Sequence, residues 1–317
     1  MMNLLTLRET SSDQIHYLLD TALSFVEIIN RPVKKVPNLR GRVMVTLFYE
    51  NSTRTRTSFE VAAKIMSAEA INVAIAQSSV SKGESLKDTL RTIQALKADC
   101  IVIRHSSSGT AQFAADHLQI PVINAGDGRH EHPTQGLLDM LTIQKHKGDL
   151  RGLKVAVVGD VAHSRVARSN IWGLTKMGAS VTLVGPSTLM PHDVSELPVT
   201  LSTSLKQGLE GADVVNVLRL QTERQERGLL PSLREYSKLY GINSRTLRYA
   251  KPDALVLHPG PMNRGVEITA DVADGLNGIH SAIEEQVSHG IAVRMAALYM
   301  LMSVPSSSVA QQMGDRI

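Results

Sequence analysis

The hydrophobic positions of the chain fall into short, largely β-branched runs: VMVTLFY at 43–49, INVAIA at 71–76, CIVI at 100–103, PVINA at 121–125, KVAVVG at 154–159, SVTLVG at 180–185, DVVNVL at 213–218 and ALVLH at 254–258. Compact apolar runs of this kind predict strands buried on both faces. Between most of them the hydrophobic period lengthens to that of a helix, as in SFEVAAKIMSAEA after the first run and ESLKDTLRTIQALKA, expected to start near Glu84, after the second. Alternating strand and helix predicts an α/β fold built on parallel sheets with helices on both faces.

Four of the runs precede residue 130 and four follow residue 150, and the apolar-periodic stretch from Pro133 to His146 lies between the two groups. That stretch is expected to be a helix joining two α/β domains. The helical pattern from Ile283 to Val304 has no strand after it and is expected to return to the earlier domain. The expected organisation is therefore residues 1–132 with 285–317 as one domain and 133–284 as the other, linked by interdomain helices. The tail SSSVAQQMGDRI is expected to fray. In open α/β sheets ligands collect at the carboxyl ends of the strands, so chemistry is sought just after each apolar run.

Composition narrows the classes. At 317 residues, 43% hydrophobic and 20% charged, the chain can form two cores and is not disordered in type. No run approaches the roughly 18–20 apolar residues of a membrane span, and the N-terminus lacks the features of a secretory signal, so a cytoplasmic address is expected. The lone cysteine, Cys100, allows no intramolecular disulfide and no cysteine-based zinc site, and reads as a buried apolar residue. A net charge of +4 and 3% aromatic residues leave little for nucleic acid. The basic residues matter by position: several arginines stand among Ser, Thr and Gly beside apolar runs, which suits small anionic ligands.

Ser52, Thr53, Arg54 and Thr55 follow the first run, where hydroxyls, a guanidinium and the open amides of a helix start can converge on a phosphate. The plainer reading is a Ser or Thr cap beside a solvated arginine. Ser78, Lys82 and Gly83 occupy a polar loop, where a lysine is ordinarily just solvated. Arg104 and His105 end the third run and point opposite ways if the strand persists, so only one faces a cleft. Asp127, Arg129, His130, His132 and Gln135 follow the fourth run. The two histidines make a metal site conceivable, but no third ligand stands at suitable spacing; His132 and Gln135 can instead donate to a carbonyl oxygen and accept from an amine. KVAVVGDVAHSR resembles the opening of a dinucleotide-binding unit but lacks GxGxxG spacing, which weakens a dehydrogenase reading. Arg165 lies beside the next helix start. Arg219 and Gln221, and then Pro259, Gly260 and Pro261, follow the last two runs.

In order and spacing, STRTRTSFE, SKGES, VIRH, HPTQGLLDM, GDVAHSR, NVLRLQTER and HPGPMNRGVEI resemble the aspartate/ornithine carbamoyltransferase family over nearly the whole chain. STRTR and HPTQ are common to that family, whereas Arg219, Gln221 and HPGPMNRGVEI point to its aspartate-using branch. The resemblance implies transfer of the carbamoyl group of carbamoyl phosphate to the amine of L-aspartate, an early step of pyrimidine biosynthesis. By the same resemblance Ser52, Thr53, Arg54 and Thr55 hold the phosphate, and Arg104, His132 and Thr55 address the carbonyl oxygen. Gln135 and the main chain at Pro259, Gly260 and Pro261 receive the carbamoyl amide. Lys82, Arg165, Arg219 and Gln221 meet the carboxylates. Relatives often carry a bulkier residue where this chain has Gly260, but a backbone acceptor needs no side chain.

The residue types agree with that chemistry. A phosphate and two carboxylates need several fixed cations, each charge-assisted contact contributing about 1.5–3 kcal/mol, and donors placed at a developing oxyanion contribute ~2.7–4 kcal/mol. No cofactor, metal or covalent intermediate is required. The resemblance further implies a homotrimer in which Ser78 and Lys82 complete a neighbouring subunit's site. A free trimer and one joined to regulatory chains or a dihydroorotase are both compatible with the sequence; nucleic acid and membrane are not expected partners. Ornithine carries a side-chain cation that Arg219 would repel, and the ornithine pattern favours a Cys near HPGP. A non-catalytic paralog acting as an assembly module would have lost charged site residues, and here each position is filled.

Overall fold

The computed structural model describes residues 2–73, 83–191, 196–221, 229 and 232–303. The chain divides into two units, Met1–Leu137 with Ser288–Ile317, and Leu138–Val287.

The first unit opens with α1 (Ser12–Ile29), followed by β1 (Val43–Phe48), α2 (Thr53–Ile65), β2 (Glu69–Val73), α3 (Leu86–Ala95), β3 (Cys100–His105), α4 (Thr110–His117) and β4 (Val122–Asp127). Its four strands are parallel, in the order β2-β1-β3-β4. Val45 and Leu47 of β1 and Ile101 and Ile103 of β3 pack on Leu90 and Ile93 of α3 and Ala111 and Ala114 of α4. Each large aliphatic side chain so buried contributes about 1.5–3 kcal/mol. Helix α3 starts at Leu86, two residues later than expected near Glu84, because the Ser85 hydroxyl accepts from the Asp88 amide and sets the cap there.

Helix α5 (Pro133–Lys147) and, at the other end of the chain, α10 (Ile283–Met302) run through the two divisions between units. The limits expected at 132/133 and 284/285 thus move to 137/138 and 287/288. The amides of Gln135 and Gly136 donate to the His132 carbonyl, which ties the first turn of α5 to the loop before it. Beyond Ser288, α10 is apolar nearly all round and buried, with Ala292, Val293, Met295, Ala296, Ala297 and Leu298 at 0–1% exposure. It rests on α2, the Arg294 guanidinium lying 5.1 Å over the Phe59 ring.

The second unit contains β5 (Lys154–Val158), α6 (Arg165–Lys176), β6 (Ser180–Val184), β7 (Thr200–Ser202), α7 (Leu205–Leu209), β8 (Val214–Val217), α8 (Leu233–Tyr240), β9 (Leu255–Leu257) and α9 (Ala270–Ala273). The strands are again parallel, in the order β7-β6-β5-β8-β9. Ala156, Val158, Val215, Val217 and Val256 face Leu205 and Leu209 of α7 and Val272 and Ala273 of α9. The three-residue β7 is an element the apolar pattern does not reveal, since two of its residues are exposed. Among the described residues no helix is long and apolar enough to cross a membrane.

Both sheets reverse direction once. In the first, the chain passes from β1 out to β2 and returns to β3 on the other side; in the second, it passes from β5 through β6 to β7 and returns to β8. Each reversal leaves a crevice at the carboxyl ends of the two flanking strands, where α/β sheets take ligands.

Candidate active site

In the first unit the expected residues come from three adjacent strands. Ser52 to Thr55 follow β1, Arg104 lies in the last turnout of β3, and His132 and Gln135 follow β4. β1 and β3 flank the reversal. Helix α2 begins at Thr53, and its first intrahelical bond runs from the Arg56 amide to the Ser52 carbonyl, so the amides ahead of it have no acceptor within the helix. Ser52 occupies the cap position but makes no side-chain cap bond. The cap reading of Ser52 and Thr53 is thereby corrected: the helix start is held by its backbone, and the Ser52 hydroxyl does not serve it. Thr55 is 7% exposed, whereas Arg54 is exposed.

Arg104 and His105 diverge as strand geometry requires. Arg104 donates from Nη1 to the Ala125 carbonyl at 3.1 Å and pairs through Nε with Glu50 Oε2 at 3.3 Å, just ahead of α2. His105 instead lies against the Tyr49 ring, 4.8 Å between centroids, with its Nδ1 taking the Ser107 amide at 2.9 Å. Burial pushes the His105 imidazole below its ordinary range. Arg104 is therefore the one of the pair turned toward the helix start. Glu50 is a member that the sequence pattern did not single out; its only signal was an acidic residue beside a cluster of cations.

His132, 4% exposed, and Gln135, 7% exposed, are set by the turn after β4. Asp127 organises that turn: its carboxylate receives the Asn124 side-chain amide at 2.7 Å, the Gly109 amide at 2.7 Å and the Glu131 amide at 3.2 Å, and meets His130 Nδ1 at 3.1 Å. Burial alone would raise the Asp127 carboxyl, but the bonds from His130 and Asn124 and the Gly109 amide bring it below the usual carboxylate range. His130 is thus an orienting partner of Asp127. Among the described residues no group of three His, Cys, Asp or Glu is arranged to hold a metal. Cys100 is fully buried in β3, and burial raises its thiol well above the ordinary range.

The second unit repeats the arrangement. Arg165 follows β5 as the first residue of α6 and is 4% exposed; Arg219 and Gln221 follow β8; Pro259, Gly260 and Pro261 follow β9. Three neighbouring strands again supply the residues, and β5 and β8 flank the reversal. The Ser164 hydroxyl caps α6 by accepting from the Ala167 amide at 3.1 Å, fixing where Arg165 emerges. Gly159, at the end of β5, has φ +129°, and a Cβ there would meet the Leu218 carbonyl oxygen at 3.1 Å. Glycine lets the chain beneath Arg219 approach that closely. The peptide between Gly260 and Pro261 is cis. Ser78 and Lys82 lie outside the described residues.

Comparison with known proteins matches the chain to two family models in succession. Residues 2–145 match the family described as aspartate/ornithine carbamoyltransferase, carbamoyl-P binding domain, and residues 151–301 match its Asp/Orn binding domain. The aspartate carbamoyltransferase catalytic subunit of Desulforamulus reducens is 59% identical over 299 residues, covering 94% of this chain and 95% of that one. Aspartate transcarbamoylase from Trypanosoma cruzi, solved with carbamoyl phosphate and aspartate, superposes with a TM-score of 0.86 at 30% identity, over 95% of this chain and 96% of that one. Ornithine carbamoyltransferase from Pyrococcus furiosus superposes with a TM-score of 0.84 at 28% identity, over 96% and 98%. The architecture is common to both branches, so it does not by itself choose between them.

Proposed function

The chain belongs to the aspartate/ornithine carbamoyltransferase family, and from that premise we propose that it transfers the carbamoyl group of carbamoyl phosphate to the amine of L-aspartate, giving N-carbamoyl-L-aspartate and phosphate. The observation that carries the reading is the clustering of the cationic and hydroxyl residues at the carboxyl ends of neighbouring strands in each unit. The first unit is read as the carbamoyl phosphate domain and the second as the aspartate domain.

In this reading the open amides of α2 and the side chains of Ser52, Thr53, Arg54 and Thr55 take the phosphate, whose negative charge suits a helix N-terminus. Arg104, His132 and Thr55 donate to the carbonyl oxygen. The aspartate amine attacks the carbonyl carbon, the new C–N bond forms, negative charge builds on that oxygen, and the C–O bond to phosphate breaks as the carbonyl re-forms, with phosphate taking the electron pair and the proton lost by the amine. Donors already in place at the oxygen stabilise the transition state more than the ground state. Gln135 and the carbonyls of Pro259 and Gly260, with Pro261 beside them, orient the carbamoyl amide. Arg165, Arg219 and Gln221 take the carboxylates of aspartate, and a cationic second substrate is repelled at Arg219.

The same reading places the chain in the cytoplasm, at an early step of pyrimidine synthesis, as a homotrimer in which Ser78 and Lys82 complete a neighbour's site. Assaying purified protein with carbamoyl phosphate and either aspartate or ornithine tests it. Carbamoyl aspartate formation at least about a hundredfold faster than citrulline formation supports the reading, a ratio equivalent to ~2.7 kcal/mol of discrimination; no carbamoyl aspartate overturns it.

A further inference from the structure

The carbonyls of Pro259 and Gly260 can serve as acceptors only if their directions are fixed, and the residue before them is bound on every polar atom that bears on this. His258 is 2% exposed. Its amide donates to Gln286 Oε1 at 2.9 Å, and Gln286 Nε2 donates to Asp139 Oδ1 at 2.7 Å, where Asp139 also receives Asn170 Nδ2 on Oδ2 at 2.7 Å. The backbone at His258 is therefore anchored through Gln286 to a buried carboxylate.

The ring is fixed from both sides. The Gly260 amide lies 2.8 Å from His258 Nδ1. A peptide N–H can only donate, so Nδ1 is the unprotonated nitrogen and accepts. The hydrogen of the neutral imidazole then resides on Nε2, which faces Glu267 Oε1 at 3.3 Å. Glu267 is fully buried, and the same oxygen accepts the Asn263 amide at 2.5 Å. Asn263 Nδ2 donates in turn to the carbonyl of Leu220 at 3.2 Å, between Arg219 and Gln221. One chain of hydrogen bonds thus runs from the Gly260 amide to the backbone that carries Arg219.

We propose that His258 is a positioning residue for the reaction, a neutral imidazole protonated on Nε2 whose Nδ1 holds the Gly260 amide and thereby aims the Pro259 and Gly260 carbonyls at the carbamoyl amide. The proposal rests on the reading of the second unit given above. A side chain accepting from the amide two residues on is a device that fixes a local turn. Here it acts where Gly260 adopts φ +63°, a conformation glycine enters without a steric penalty. With both ring nitrogens engaged, the imidazole is not free to shuttle a proton, so its role is orientation.

Three replacements separate orientation from general support. His258→Asn puts an amide oxygen near the place of Nδ1 and keeps an acceptor for Gly260. His258→Gln extends toward Glu267 and loses that acceptor, and His258→Phe loses both bonds. In folded protein the Gln and Phe variants are expected to raise the carbamoyl phosphate KM and lower kcat by about tenfold or more, while inhibition by inorganic phosphate, taken up by the first unit, changes less than about twofold. The Asn variant is expected to stay within about threefold of wild type. Equal performance of Asn and Gln, or a parallel loss of phosphate and carbamoyl phosphate affinity, overturns the proposal. If the Phe variant does not fold, the Asn and Gln pair decides. A wild-type protein without carbamoyl aspartate formation would instead overturn the assigned reaction, so the two failures are distinct.

Discussion

Glu50 Oε2 stands 3.3 Å from Arg104 Nε, with the two side chains 19% and 14% exposed. The pair joins the segment just before α2 to the end of β3, and so sets where the Arg104 guanidinium points relative to the first turn of that helix. A partly buried charge pair of this kind adds about 1 kcal/mol or less to stability, but misplacing a donor by an ångström costs far more in rate. Glu50→Gln is therefore expected to lower kcat about tenfold while the melting midpoint moves little. A variant within twofold of wild-type kcat would remove Glu50 from the site.

Arg54→Ala is expected to leave less than a tenth of wild-type turnover, a barrier increase above about 1.4 kcal/mol, because the departing phosphate loses its cation. The fold should not suffer. Burial, and then the charge of Arg54, push the Arg294 guanidinium down to about 9, so removing Arg54 relieves a like-charge repulsion and should hold or raise the melting midpoint. Steady-state kinetics and a thermal melt on the same preparation check both halves; retention of more than a tenth of the activity sinks the role.

The two serines at helix starts offer an internal control. Ser164 caps α6 with a 3.1 Å bond from the Ala167 amide, whereas Ser52 makes no cap bond on α2. Ser164→Ala should cost about 1 kcal/mol of stability, and Ser52→Ala close to none while raising the carbamoyl phosphate KM. Chemical denaturation of both variants decides; an equal stability loss would restore the cap reading of Ser52.

These contrasts mark what a linear sequence carries. The buried strands were legible because parallel sheets covered on both faces need unbroken apolar runs, although the run at 71–76, expected to be buried, enters the edge strand β2, which has no buried residue. The residues after β1, β3, β5, β8 and β9 were legible because chemistry gathers at strand ends. Short β7 was not, since an edge strand with two exposed residues leaves no hydrophobic signal. Helix α1 carries a local signal of its own: Ser11 and Gln14 form a capping box, with bonds of 3.2 and 3.0 Å. Glu50, Glu267 and His258 are of another kind. Their meaning lies in side-chain pairings that composition and periodicity do not mark, and for Glu50 and Arg104 the partners are far apart in the chain.

Arg219 is expected to select the second substrate. Arg219→Ala should raise the aspartate KM at least about tenfold, in keeping with loss of one charge-assisted contact, while carbamoyl phosphate affinity stays within about twofold. The expectation follows from Arg219 lying in the second unit and the phosphate residues Ser52 to Thr55 in the first. Equal loss of both affinities would count against dividing the substrates between them.

The proposed sharing of Lys82 between subunits gives the sharpest test, because Lys82 lies outside the described residues. In a ring of three identical subunits with head-to-tail contacts, each site takes Arg54 from one chain and, if the cross-subunit reading holds, Lys82 from the next. Arg54→Ala chains and Lys82→Ala chains are each expected to be nearly inactive alone. When they are mixed, dissociated and reassembled, a site whose Arg54 comes from a Lys82→Ala chain and whose Lys82 comes from an Arg54→Ala chain carries neither lesion. With equal amounts and random assembly, such sites make up about a quarter of the total, so activity should recover toward a quarter of wild type. A site made within one chain always contains a lesion, whatever the mixture. Reassembled trimers, verified by light scattering, that stay at the level of the parents would therefore refute the cross-subunit role and leave Lys82 as a solvated loop residue.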